Sequence, residues 1–183
     1  MEQLWAPWRM ELIDQGEPAP GCIFCALPAA RPAGGVERGR EALDRQNLVL
    51  GRTANTFAIL NKFPYNNGHL MVVPRRHGAE LAALPEDELT ELTQMLRVAL
   101  RLVRRAYSPQ GANLGMNLGR PAGAGIDQHL HWHVVPRWNG DTNFMPVIGE
   151  TKVMIEHLSA SWDRLRPLFD AEYAWQGQRC AEW

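Results

Sequence analysis

His129-Leu130-His131-Trp132-His133-Val134-Val135 alternates imidazoles with apolar side chains and closes on two valines. Side chains of a strand point to opposite faces in turn. The spacing therefore predicts a strand over 129–135, with three imidazoles on one face and Leu130, Trp132 and Val134 on the other. Residues two apart on a strand sit roughly 6 to 7 Å apart, and the outer histidines roughly 13 Å, too far for all three to hold one metal ion easily. Two of them can, as in His-x-His sites, and the third then needs other work. A neutral imidazole is also a nucleophile toward phosphorus, and a flanking one can donate to a phosphate oxygen or leaving group. The plain alternative is a surface tract that binds metal incidentally. Its place in a strand pattern, behind a Gly-rich segment, argues against that.

Working outward, short apolar runs predict further strands near Leu48–Leu50, Thr56–Leu60, His69–Val73 and Asn113–Leu118. Between the third and fourth, Pro85 opens a helix with Glu86, Asp87 and Glu88 in its first turn. Leu89, Leu92, Leu96, Ala99 and Val103 recur at helical spacing, and Arg101, Arg104 and Arg105 suit the negative end of the helix dipole. Ser108-Pro109 ends it. A second helical pattern runs through Ile155, Leu158, Trp162, Leu165 and Leu168 or Phe169. Strands, a long helix and returning strands predict an antiparallel α+β fold rather than a doubly wound one. The expected organisation is an N-terminal extension over 1–41, a central domain over 42–145, and a C-terminal helix and tail over 146–183. Pro28 to Gly39, rich in Ala, Pro and Gly, reads as a mobile loop.

With 183 residues, 45% of them hydrophobic, the chain suffices for one well-filled domain and is short for two. A net charge of -1 argues against a general nucleic-acid binder. No stretch approaches the roughly 20 apolar residues of a membrane span, and the first residues lack the build of a signal peptide. The expectation is a cytoplasmic protein that binds neither membrane nor nucleic acid.

Three cysteines cannot all pair within the chain. Two form Cys22-Ile23-Phe24-Cys25, which in a reducing compartment reads as metal or redox chemistry; a pair of ordinary buried thiols is the plain alternative. One Cys-x-x-Cys supplies half of a tetrahedral zinc site and needs two further ligands. Gly119-Arg120-Pro121-Ala122-Gly123-Ala124-Gly125-Ile126-Asp127-Gln128 stands directly before the histidines, where glycines let backbone N–H groups approach phosphate oxygens.

The alternating histidine stretch matches the His-φ-His-φ-His-φ-φ signature (φ apolar) and resembles the histidine triad nucleotide hydrolases and transferases. The resemblance extends to Ile59-Leu60-Asn61-Lys62-Phe63-Pro64, to Asn67-Gly68-His69-Leu70-Met71-Val72-Val73-Pro74 and to Gly115-Met116-Asn117-Leu118-Gly119, covering about residues 42 to 140. Leu4-Trp5-Ala6-Pro7-Trp8-Arg9 and Trp138-Asn139-Gly140-Asp141-Thr142-Asn143-Phe144 resemble the bacterial branch acting on diadenosine polyphosphates.

The resemblance implies a five-stranded antiparallel sheet with helices on one side, commonly in a homodimer. It implies His131 as the nucleophile that attacks an α-phosphate, its other ring nitrogen held by a backbone carbonyl. His133 would contact the scissile phosphate or bridging oxygen, and Asn117 would donate from the neighbouring strand. Asn61 falls at the ribose position, where an amide can both donate and accept. Lys62 would meet distal phosphates, a solvated lysine being the plainer alternative. Gly123 and Gly125 would offer backbone N–H groups. Here the usual Gly-Gln-Ser/Thr is replaced by a segment one residue longer, and Gln128 is the candidate to stand in. Zinc-containing relatives nominate His77 and His129 beside Cys22 and Cys25, a structural clamp that leaves His131 for catalysis. His69 is read as supporting the fold. The expected activity is cleavage of a diadenosine polyphosphate, such as diadenosine tetraphosphate, through a nucleotidyl-His131 intermediate. Diadenosine tetraphosphate phosphorylase, nucleoside phosphoramidase, zinc-dependent hydrolase and non-catalytic nucleotide binder stand as alternatives.

Overall fold

The computed structural model describes residues 21–29, 37–141 and 154–175; the 4–9 motif, Thr142 to Phe144 and Cys180 lie outside them. The elements are α1 (Ile23–Ala29), α2 (Glu37–Gln46), β1 (Val49–Arg52), β2 (Thr56–Leu60), β3 (Leu70–Pro74), α3 (Glu86–Tyr107), β4 (Gly111–Gly115), β5 (Trp132–Arg137) and α4 (Leu158–Trp175). Short 3-10 turns lie at Leu81–Ala83 and Arg120–Ala122. The stretch read as one loop, 28 to 39, therefore begins and ends in helix.

The strands form one sheet in the order β1-β2-β3-β5-β4, antiparallel at every junction, as the α+β reading expected. Alternation divides the strands between two faces. Ala58, Leu60, Leu70, Val72 and Val134 pack against Leu92, Met95, Val98 and Leu102 of α3 and Trp162, Leu165 and Phe169 of α4. On the other face Val49, Phe57, Ile59, Met71 and Val73 gather around Phe24 of α1. α4 is tied to β1 by Trp162, whose Nε1–H donates to Val49 O at 2.9 Å, and by Arg166, which reaches the buried Asp44–Arg52 pair. No described helix is long and apolar enough to cross a membrane.

Three further expectations need correction. β4 occupies Gly111–Gly115 rather than 113–118, because its ladder to β5 runs from Gly111↔Arg137 to Gly115↔His133. β5 begins at Trp132, not His129: the Leu130 N–H donates to Gly78 O at 2.8 Å instead of joining the ladder. The buried stripe of α3 includes Met95, Val98 and Leu102, while Leu89 is exposed and Leu96 only partly buried. The helix is apolar around more than one stripe, so spacing alone left its rotation open. Its ends match the sequence: Pro85 caps it without a side-chain bond, and Ser108 ends it at φ 46°.

Candidate active site

His129, at the entrance to β5, is 1% exposed. Its Nε2 lies 2.7 Å from Pro74 O, and a carbonyl only accepts, so Nε2 carries the proton and Nδ1 is a bare lone pair. That lone pair faces Cys22 Sγ at 3.2 Å and Cys25 Sγ at 3.6 Å, while His77 Nδ1 lies 3.5 Å from Cys25 Sγ. One ligand atom from each of Cys22, Cys25, His77 and His129 lies within 4.8 Å of the others. Zinc at about 2.3 Å from sulfur and 2.0 to 2.1 Å from nitrogen puts tetrahedral ligands roughly 3.6 Å apart, so the donor set and its spacing fit. The Pro74 carbonyl is also the outer partner that holds a metal-binding imidazole in its tautomer. Burial, with Cys22 beside it, pushes the Cys25 thiol up, a preference that a bound cation reverses.

His131 is 6% exposed, and its Nδ1–H donates to the carbonyl of His129 at 2.8 Å. The acceptor that the resemblance required is thus two residues back in the same chain. It leaves Nε2 as the nitrogen able to form a bond. Burial holds this imidazole below its ordinary pKa, favouring the neutral ring, although the His129 carbonyl opposes that direction. Phe24 lies behind it, ring centroids 5.2 Å apart, and also touches His129 at 5.5 Å.

His133 stands between Met71 and Gly115 in the ladder, its ring 5.1 Å from that of His131. The Tyr65 N–H donates to His69 Nδ1 at 3.0 Å, so the His69 proton sits on Nε2, which donates to His133 Nδ1 at 3.0 Å. His133 is therefore held with its proton on Nε2. His69 supports the fold as expected, but it also sets the tautomer of a triad member.

An open cleft of about 370 Å³ begins at His133 and Asn117 and runs along β4 and β5 past Tyr65 and Asn113 to Arg137 and Asp141. No Cβ contact lies within 4 Å of Gly115, so the position opposite His133 stays open. Asn117 Nδ2 donates to Gly123 O at 3.3 Å, joining the cleft to the Gly-rich segment. Gly123 takes φ 91°, a left-handed conformation that favours glycine. Gly123, Gly125 and Gln128 are exposed, and Ile126 packs on the Phe24 cluster, so the segment lies on the histidine face. Asn61 is half-buried within its own turn, Oδ1 accepting the Phe63 N–H at 2.9 Å and Nδ2 3.4 Å from His69 Nε2. Lys62 is exposed beside the Phe63 ring.

Tyr65, Arg137, Asp141 and Phe24 were not singled out from sequence. Tyr65 stacks on His69 at 4.7 Å, and the Arg137 guanidinium donates to both Asp141 oxygens at 2.6 and 2.9 Å and to Asn113. The available signals were alternation, which puts Arg137 on the His133 face, and the place of Phe24 between two candidate ligands.

Residues 43–140 match the model of the HIT domain. The chain belongs to the HIT family. An AP-4-A phosphorylase of Mycobacterium tuberculosis is 40% identical over 154 residues, 84% of this chain and 77% of that protein. The asymmetrical bis(5'-nucleosyl)-tetraphosphatase of Schizosaccharomyces pombe is 32% identical over 93 residues, 51% of this chain and 50% of that one. Among solved structures, a Zn-bound histidine triad family protein from Mycobacterium smegmatis superposes with a TM-score of 0.61 at 24% identity, over 84% of this chain and 96% of that chain. The resemblance read from the histidine motif is thus the chain's family, and the HIT fold is the fold observed.

Proposed function

We propose that this HIT protein cleaves diadenosine polyphosphates, diadenosine tetraphosphate among them, at the α-phosphate through an adenylyl-His131 intermediate. The observation that carries the reading is the Nδ1–H bond from His131 to the His129 carbonyl, which leaves Nε2 bare on a ring 5.1 Å from that of His133, whose own proton is on Nε2. His131 Nε2 attacks the α-phosphorus and forms a P–N bond as the P–O bond to the leaving polyphosphate breaks. His133 Nε2–H supplies the proton to the departing oxygen. An acceptor then attacks the same phosphorus, returns a proton to His133 and releases His131. Asn117 and the backbone N–H groups of Gly123 and Gly125 stabilise charge on the phosphate. Asn61, Lys62 and Gln128 contact the rest of the nucleotide.

The 40% identity to a phosphorylase favours inorganic phosphate as the acceptor; the tetraphosphatase relative keeps water as the second reading. Zinc held by Cys22, Cys25, His77 and His129 supplies a structural cross-link between α1 and the sheet, and the Zn-bound neighbour supports it. Thiolate ligands belong to a reducing compartment, which supports the cytoplasm. β4, an edge strand with Leu114 at 46% exposure, supports a homodimer paired at that edge.

Product analysis with diadenosine tetraphosphate tests the reading. ADP plus ATP appearing only with phosphate marks phosphorolysis; AMP plus ATP without it marks hydrolysis. No product under either condition, or full activity in His131→Ala, overturns it.

A further inference from the structure

We propose that the Cys22/Cys25/His77/His129 centre positions the nucleophile, acting through the His129 carbonyl and the Phe24 ring; this rests on the reading of His131 as nucleophile. The carbonyl that fixes the His131 tautomer lies outside the sheet, because β5 begins at Trp132. What holds His129 and Leu130 is the Pro74 and Gly78 carbonyls, at 2.7 and 2.8 Å, and the two thiols facing His129 Nδ1. His77 precedes Gly78 directly, so a ligand set containing both histidines fixes both sides of that junction. One residue therefore offers its ring to the metal centre and its main chain to the nucleophile, and displacement of the ring moves the carbonyl with it.

The second grip comes from α1. Phe24 sits between the two cysteine ligands, is 1% exposed, and packs on His131, His129 and Phe57 at 5.2, 5.5 and 6.4 Å between centroids. Drawing Cys22 and Cys25 onto His129 presses Phe24 against the back of the nucleophile. His129 and Phe24 are positioning residues: neither needs to touch the substrate, and both define where the His131 ring points. Outer-shell partners of this kind typically change activity or metal affinity 10- to 100-fold.

The test uses full-length protein labelled with 15N-histidine, loaded with zinc and then stripped by chelation, with two-bond 1H–15N correlations reading each imidazole's tautomer. Loaded protein is expected to show His131 as the Nδ1–H tautomer alone. Stripped protein is expected to show a mixture at His131, with His69 and His133 unchanged. Phe24→Leu keeps all four ligands, so it carries the test even if stripping unfolds the chain. It is expected to retain zinc and lower kcat 10- to 100-fold at unchanged KM. A stripped, folded protein that keeps the single His131 tautomer overturns the proposal, as does Phe24→Leu turning over at the wild-type rate. Because the tautomer is read without turnover, His131→Ala retaining activity instead sinks the reading beneath it.

Discussion

The two faces of the sheet are made by the same strands and do different work. From β5, Trp132 and Val134 point to the helices, into a cluster of apolar side chains where the demand is for volume. His133 and Val135 point the other way, into a cleft, and His131 lies behind them, where the demand is for proton placement. On the helix side, side chains of similar size can replace one another at modest cost. On the histidine side, an isosteric change that moves one proton undoes the arrangement. Alternation keeps the requirements apart, so the helix-covered face serves stability while the open, histidine face carries turnover beside a smaller apolar cluster around Phe24.

The largest expected break in that division is His131→Ala. Loss of a nucleophile that acts as a unit with its neighbours costs about 10⁴-fold or more in kcat, while the midpoint of thermal unfolding should stay close to wild type. Full activity would show that the open face does not house the nucleophile. The mirror experiment is Phe169→Ala on the covered face, where the side chain is fully buried against Gly51. It should cost about 3 to 5 kcal/mol of stability by chemical denaturation and leave the kcat of folded protein unchanged. Gly51→Ala approaches the same contact from the other side: its Cβ would run into the Phe169 ring, an overpacking worth about 1 to 3 kcal/mol.

How far sequence reached follows the same division. The five strands and the long helix were legible because alternation and the 3.6 period are local signals. The exact start of β5 was not, because it depends on whether Leu130 pairs with the ladder or with Gly78, a choice made by a distant loop. The rotation of α3 was hidden because apolar residues cover more than one stripe. Within the site, Cys22 and Cys25 were nominated by their own spacing and His77 and His129 through family resemblance, and the structure brings all four together. The His131 acceptor could not be placed from spacing, since a backbone carbonyl leaves no mark on residue type. Tyr65 and Asp141 escaped for a related reason: their roles come from loops folding onto β5, where Asp141 meets Arg137.

Asn117 sharpens the comparison, because it sits at the seam where the cleft meets the Gly-rich segment. If it donates to charge developing on the phosphate, Asn117→Ala should lower kcat about 10²- to 10³-fold, as loss of an oxyanion-hole donor does. If it only holds Gly123, KM should rise instead with little change in kcat. Steady-state kinetics at saturating substrate separates the two.

The smallest expected effect lies at the far end of the cleft, where the requirements of the two faces meet in one residue. The paired Arg137 guanidinium holds the Asp141 carboxyl well below the usual carboxylate range, with Asn66 and the Trp138 N–H adding in the same direction. A carboxyl whose folded pKa is depressed stabilises the fold fully above its unfolded value, about 3.9, and loses that contribution as pH falls toward the folded value. Asp141→Asn should therefore lower the unfolding midpoint slightly at pH 7, and the gap to wild type should shrink progressively as pH falls below about 4. Arg137 is nearly half exposed, so the effect at neutral pH should also weaken with added salt. A gap that persists unchanged at pH 3 would mean that contacts indifferent to the charge of Asp141, rather than its bonds as a carboxylate, are what it contributes to this rim.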